Sequence, residues 1–162
     1  MTEAEALAML RGDDPAAAAR AEAALWEMWC RSGDANVDAL LREGIETMER
    51  RDLAGAEALF GRIVARAPGF AEGWNKRATV RYLAGRYEDS VLDCRATLAR
   101  NPSHFGALSG QGLCHFALAQ YREAADLFRR ALAVHPHLGG ARRNLALALG
   151  EAVKGNGHGG HP

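Results

Sequence analysis

Pro68, Pro102 and Pro136 stand 34 residues apart, and laying the chain over itself on these three positions brings most of its length into register. A period of this size is the mark of a stacked repeat, and it constrains the fold more than any compositional figure can. The segments 37–68, 71–102 and 105–136 superpose. Each divides into a first helix (about 37–50, 71–84 and 105–118), a two-residue turn (Arg51-Asp52, Gly85-Arg86, Ala119-Gln120) and a second helix (about 53–66, 87–100 and 121–134). Proline then closes the unit, where it cannot continue a helix.

The residues that coincide are those that helix packing needs. Leu40, Trp74 and Leu108 share a position, as do the small residues Gly44, Ala78 and Gly112 four places on. After the turn, Leu53, Tyr87 and Tyr121 align, then Ala56, Ser90 and Ala124, then Phe60, Cys94 and Phe128. A small residue inside the first helix lets the second approach closely, while the large residue one turn earlier fills the space beside it. One such hairpin cannot cover its apolar stripe alone, whereas a stack of them can.

This pattern resembles the tetratricopeptide repeat, a 34-residue helix–turn–helix unit, over residues 37–136. The alanine that the family carries late in the second helix is kept as Ala131 and replaced by Ile63 and Thr97. The resemblance implies an all-α, right-handed α-α superhelix with a concave surface lined by the first helix of each unit. By that likeness the groove-facing residues are Asp38, Leu41, Ile45, Met48 and Glu49, then Glu72, Asn75, Thr79, Tyr82 and Leu83, then Gly106, Ser109, Leu113, Phe116 and Ala117, with Arg143 beyond them. Of these, Met48, Asn75, Thr79, Tyr82, Leu113, Phe116 and Arg143 are the expected groove contacts. Members of the family that bind chaperone tails hold a carboxylate in a Lys/Asn clamp. Here the fifth positions are Leu41, Asn75 and Ser109 and the ninth are Ile45, Thr79 and Leu113, with Lys76 and Asn144 at sixth positions, so the full clamp is absent.

The flanks are expected to complete a stack of about nine helices. Residues 139–153 fit one further helix in register, capping the third unit, with Leu145, Leu149 and Val153 as its buried face and Ala146 beside them. Upstream, residues 3–11 and a segment from Asp14-Pro15 through Cys30 make two helices, the second opened by an aspartate cap and a first-turn proline. Counting back 34 residues puts Trp26 at the place of Phe60, so the pair is a degenerate repeat or a two-helix cap. Trp26, Met28 and Trp29 also suit a fold-back of this pair against part of the groove. The division is therefore 1–36, a helical pair; 37–154, three units (37–70, 71–104, 105–138) with a capping helix; and 155–162, a glycine-rich disordered tail.

Composition narrows the function. Twenty basic and 20 acidic residues give a formal net charge of zero, against a uniformly basic nucleic-acid binder. The balance hides a dipole: residues 1–50 hold 11 acids and 5 bases, a net of −6, and residues 51–162 hold 9 acids and 15 bases, a net of +6. Cys30, Cys94 and Cys114 form neither a CxxC pair nor an even-numbered framework, which points to thiols in a reducing, cytoplasmic setting. The acidic start lacks the features of a signal peptide, and no apolar run has the length of a membrane span.

Catalytic signals are missing from the pattern. The glycines of Ser109–Gly112 fall inside a helix, and the 139–144 segment lacks a preceding strand and a Walker lysine. His104, His115, His135, His137, His158 and His161 show no metal-ligand spacing, and Glu43, Glu46 and Glu49 lie along one solvated helix face. The sequence is that of a non-catalytic module, without cofactor or metal, that binds a protein or peptide segment. A structural role through self-association, as a homodimer or within a larger complex, is the alternative. Neither nucleic acid nor membrane is an expected partner.

Overall fold

The computed structural model describes residues 1–158, and its described residues are helical throughout apart from caps and turns. The order is α1 (Glu3–Leu10), α2 (Pro15–Trp29), α3 (Ala35–Glu49), α4 (Leu53–Arg66), α5 (Ala71–Leu83), α6 (Tyr87–Arg100), α7 (Phe105–Ala117), α8 (Tyr121–Val134) and α9 (Gly139–His158). Helices α3 to α9 pack each on the next in chain order, as an α-α superhelix of three hairpins and a final helix.

The turns repeat as faithfully as the helices. Arg51, Gly85 and Ala119 occupy the same place in the three units and all have positive φ, at 66°, 78° and 59°. The residue after each closes the first helix by donating its N–H five residues back: Asp52 to Thr47, Arg86 to Arg81 and Gln120 to His115. This is the Schellman closure, which needs a left-handed residue and suits glycine best. Arg51 and Ala119 adopt it because the following helix is fixed by packing.

That packing is a match of sizes. Gly44 and Gly112 face Phe60 and Phe128, both fully buried; a Cβ on Gly112 would lie 2.6 Å from the Phe128 ring, and one on Gly44 closer still to Phe60. The middle unit inverts the pairing. Ala78 stands where the others have glycine, Cys94 stands where they have phenylalanine, and Ser90 donates its hydroxyl proton to the Ala78 carbonyl at 2.7 Å.

The middle unit is instead braced by charge. Asp93, 2 % exposed, accepts two hydrogen bonds from Arg77 and one from Arg81. Arg81 also reaches Glu57 on α4, as does Arg86. Burial acts to raise the Glu57 carboxyl, but the hydrogen bonds from Arg81 and Arg86 outweigh it and hold the group below the ordinary carboxylate range. A carboxyl lowered in the folded state stabilises above its unfolded pKa, and that contribution is lost as pH falls through the folded value. Glu57→Gln is therefore expected to cost under about 1 kcal/mol at pH 7. The gap from wild type should narrow in urea titrations as pH falls below the ordinary carboxylate range; a gap of constant size would show that the cost is not electrostatic.

Two features depart from the sequence reading. Helix α9 continues to His158, past the end expected near residue 153, so the helix overlaps the segment expected as tail; residues 159–162, with His161, lie outside the described residues. The buried face of α9 also differs. Ala141 and Ala148 are buried, whereas Leu149 is 38 % and Val153 70 % exposed.

Candidate functional site

Helices α1 and α2 pack on each other and lie against Phe105 at the start of α7, with Val134 and Leu138 beside it. The Trp29 ring stacks on His104 with centroids 4.6 Å apart, and Trp26 meets Phe105 edge-on at 5.5 Å. A Cβ on Gly106 would fall 2.8 Å from Trp26, so only glycine admits the indole at that point. Phe105 joins Leu10, Leu25 and Trp29 in one buried cluster. Polar clasps flank it: His135 Nε2 lies 3.0 Å from Glu22, and His137 Nε2 donates to the Gly12 carbonyl at 2.7 Å.

Beneath the tryptophans is a closed polar chain. His104 caps α7, its Nδ1 accepting from the Ala107 N–H, which makes Nε2 the protonated nitrogen; that N–H donates to Glu72 at 2.8 Å. The second Glu72 oxygen accepts from the Asn75 amide at 2.8 Å, with Lys76 Nζ at 3.6 Å. Lys76 also stands 5.5 Å from the Trp26 ring. Glu72 and His104 are both buried, so the carboxylate has its partners without water.

Beyond this closed end an apolar cleft of about 260 Å³ opens between α5 and α7. Asn75, Thr79, Tyr82 and Leu83 line it from α5, and Gly106, Gly110 and Leu113 from α7. Ala78, Ser90 and Cys94 form its floor. The size inversion of the middle unit explains its depth: Cys94 leaves the volume that a phenylalanine fills in the units on either side. Gly110 adds no side chain to close it, since a Cβ there would meet only the Cys94 sulfur, at 3.9 Å. The Cys94 thiol is raised by its hydrogen bond with Cys114 and by burial, so it presents a neutral surface. Burial, with Tyr87 and Cys114 nearby, likewise raises the Tyr82 hydroxyl.

Of the expected groove contacts, Asn75, Thr79, Tyr82 and Leu113 lie on this cleft. The others are elsewhere. Met48 packs on the core of the first unit, Phe116 lies edge-on to Tyr121 at 5.1 Å, and Arg143 is exposed on α9. Among the further groove-register positions, Glu72 and Gly106 lie under α2. Cys94, on the floor, was absent from the sequence-based set, although its place in the Phe60/Phe128 column was the signal for it. Among the described residues, no helix is long and apolar enough to cross a membrane.

Comparison with known proteins agrees with this architecture. A tetratricopeptide repeat model matches residues 41–104 and 84–136. A TPR repeat-containing protein of Rhizobium etli is 29 % identical over 128 residues, covering 79 % of this chain, which spans 62 % of that relative's length. The Sgt2 TPR domain of Aspergillus fumigatus superposes with a TM-score of 0.74 at 21 % identity, over 80 % of this chain and 87 % of that one. The first TPR of Spaghetti (RPAP3), solved with an HSP90 peptide, SRMEEVD, gives 0.72 at 21 % identity, over 74 % and 96 %. The repeat period, the closures at Arg51, Gly85 and Ala119, and these matches together place the chain in the tetratricopeptide repeat family.

Proposed function

We propose that the chain is a non-catalytic interaction module that takes a short, apolar peptide segment into the α5–α7 cleft. The observation that carries this is the cleft itself: an uncharged hollow in the concave register, large enough for one or two apolar side chains and left open by Cys94 and Gly110. Helix α7 contains no Asp, Glu, Lys or Arg. Lys76 on α5 is engaged with Glu72 and Trp26. An acidic tail would therefore find little to pair with, whereas a leucine, methionine or phenylalanine anchor would be desolvated against the walls and floor of the cleft. Asn75 and Tyr82 supply polar groups at the wall, suited to the backbone of the bound segment. We place the module in the cytoplasm, which suits three free cysteines, two of them buried.

Gly110→Leu tests this directly, because it fills the cleft from a helix interior that gains propensity by the change. Peptides selected from a random display library on the wild-type protein are expected to lose at least tenfold in affinity for the variant, by calorimetric titration. Its thermal stability should be unchanged or higher. Peptides that bind Gly110→Leu as tightly as wild type would overturn the reading.

A further inference from the structure

Glu22, Leu25, Trp26 and Trp29 share one face of α2, at the i, i+3, i+4 and i+7 positions through which an amphipathic helix enters a groove. All four meet the stack. Leu25 and Trp29 pack with Leu10 on Phe105, Trp26 stands over Gly106 and Lys76, and Glu22 meets His135 Nε2. Helix α2 is thus seated on the leading end of α7 as a bound helix would be. The surface beneath it is complete without it. His104 caps α7 and donates to Glu72, which also takes the Asn75 amide, and all of these residues belong to the stack. The stack opens with its own cap as well. Asp34 accepts from the Asn36 and Val37 N–H groups, and Ser32 is held by Asp38 at 2.6 Å.

The hold on the pair is apolar and incomplete. Among the described residues, no helix of the stack runs packed along α1 or α2, whose close helix contact is with each other. His135, whose Nε2 meets Glu22, buries its Nδ1 without a hydrogen-bond partner among the described residues, a cost that counts against the docked state. A unit joined in this way opens without unfolding the repeats. We propose that the α1–α2 pair is a displaceable plug. It covers, at the leading end of α7, a binding surface for a partner's amphipathic helix with an acidic, an aliphatic and two aromatic residues at i, i+3, i+4 and i+7. Lifting the pair uncovers Phe105, His104 and Lys76 on a surface already shaped by its own hydrogen bonds, so little ordering opposes the incoming helix. It also lengthens the cleft at Gly106, which both lines the cleft and meets Trp26. The plug rests on the cleft reading only in sharing that glycine with it.

A fluorescein-labelled peptide of residues 1–31, titrated under reducing conditions against the full chain by anisotropy, tests this. In the wild type the tethered pair competes at an effective concentration on the order of millimolar, so the peptide binds weakly. Trp26→Ala with Trp29→Ala in the chain loosens its own pair, and this variant should bind the peptide at least tenfold tighter. A peptide carrying the same two substitutions should bind neither chain. Equal affinity for both chains, or no binding to the variant, would overturn the proposal. Hydrogen exchange of the wild type needs no variant to fold. The amides of α1 and α2 should exchange as one group, at least tenfold faster than those of α7 and α8. Exchange of all four helices at one common rate would equally overturn it, because the pair would then leave only with the fold. Neither measurement uses a cleft ligand, so the plug and the cleft reading fail separately.

Discussion

Replacing Phe128 with alanine is expected to lower the unfolding free energy by about 3–5 kcal/mol, the range for truncating a fully buried aromatic side chain. Phe128 has no solvent exposure and packs with Leu108, Ala124, Ala131, Ala141 and Ala148 in one cluster spanning α7, α8 and α9. Its ring also fills the space that Gly112 leaves, so the vacated volume has glycine on one side and small residues on several others, none able to expand into it. In a stack, where each hairpin is stabilised chiefly by its neighbours, the loss should fall first on the C-terminal end. Urea titration followed by circular dichroism measures the total. Hydrogen exchange should show α8 and α9 losing protection before α3 and α4. A change below 1 kcal/mol would mean that the cluster collapses around the missing ring.

Glu72→Ala is expected to cost about 3 kcal/mol, for a different reason: it removes the acceptor from two buried donors at once. The His104 Nε2–H and the Asn75 amide both end on this carboxylate, beneath Trp26 and Trp29. His104 has no solvent exposure, so water cannot take the carboxylate's place without parting α2 from α7. The variant should therefore show red-shifted, more quenchable tryptophan emission as the α1–α2 pair loosens, together with a lower urea midpoint. Glu72→Gln keeps an acceptor oxygen and should lose less. An unchanged emission spectrum in Glu72→Ala would mean that the apolar cluster of Leu10, Leu25, Trp29 and Phe105 holds the pair by itself. The same variant bears on the cleft, because Glu72 orients the Asn75 amide at its wall.

Much of the fold was legible because its information is local. The 34-residue spacing of three prolines located every turn, and helices expected at 53–66, 87–100 and 121–134 are α4, α6 and α8 at those residues. The position of α1–α2 was legible only in part: Trp26, Met28 and Trp29 suited a fold-back against the groove, but nothing in the sequence chose it over a degenerate repeat or a cap. Trp26 aligned with Phe60 by counting, but its partners His104, Phe105 and Gly106 lie more than 75 residues downstream, in a contact that no period records. The face of α9 was misread for a related reason. Leu145, Leu149 and Val153 and the alternative set Ala141, Leu145 and Ala148 are both apolar at helical spacing, and which set is buried depends on the side from which α8 packs.

The cleft divides in the same way. Asn75, Thr79, Tyr82 and Leu113 were expected at the groove from the likeness to the repeat family, and all four line the cleft. Cys94 needed the comparison of columns: a small residue in a column of phenylalanines implies a void, yet only the packing shows whether a neighbour fills it. The sequence by itself determined the repeat, its turns and which helix faces share a side, since these rest on interactions within one unit or between adjacent ones. The tertiary structure alone decided which stretch of the groove stays open. That depends on where a non-repeating hairpin docks, and burial of Trp26 and Trp29 against His104 and Phe105 sets this through contacts more than 70 residues apart in the chain.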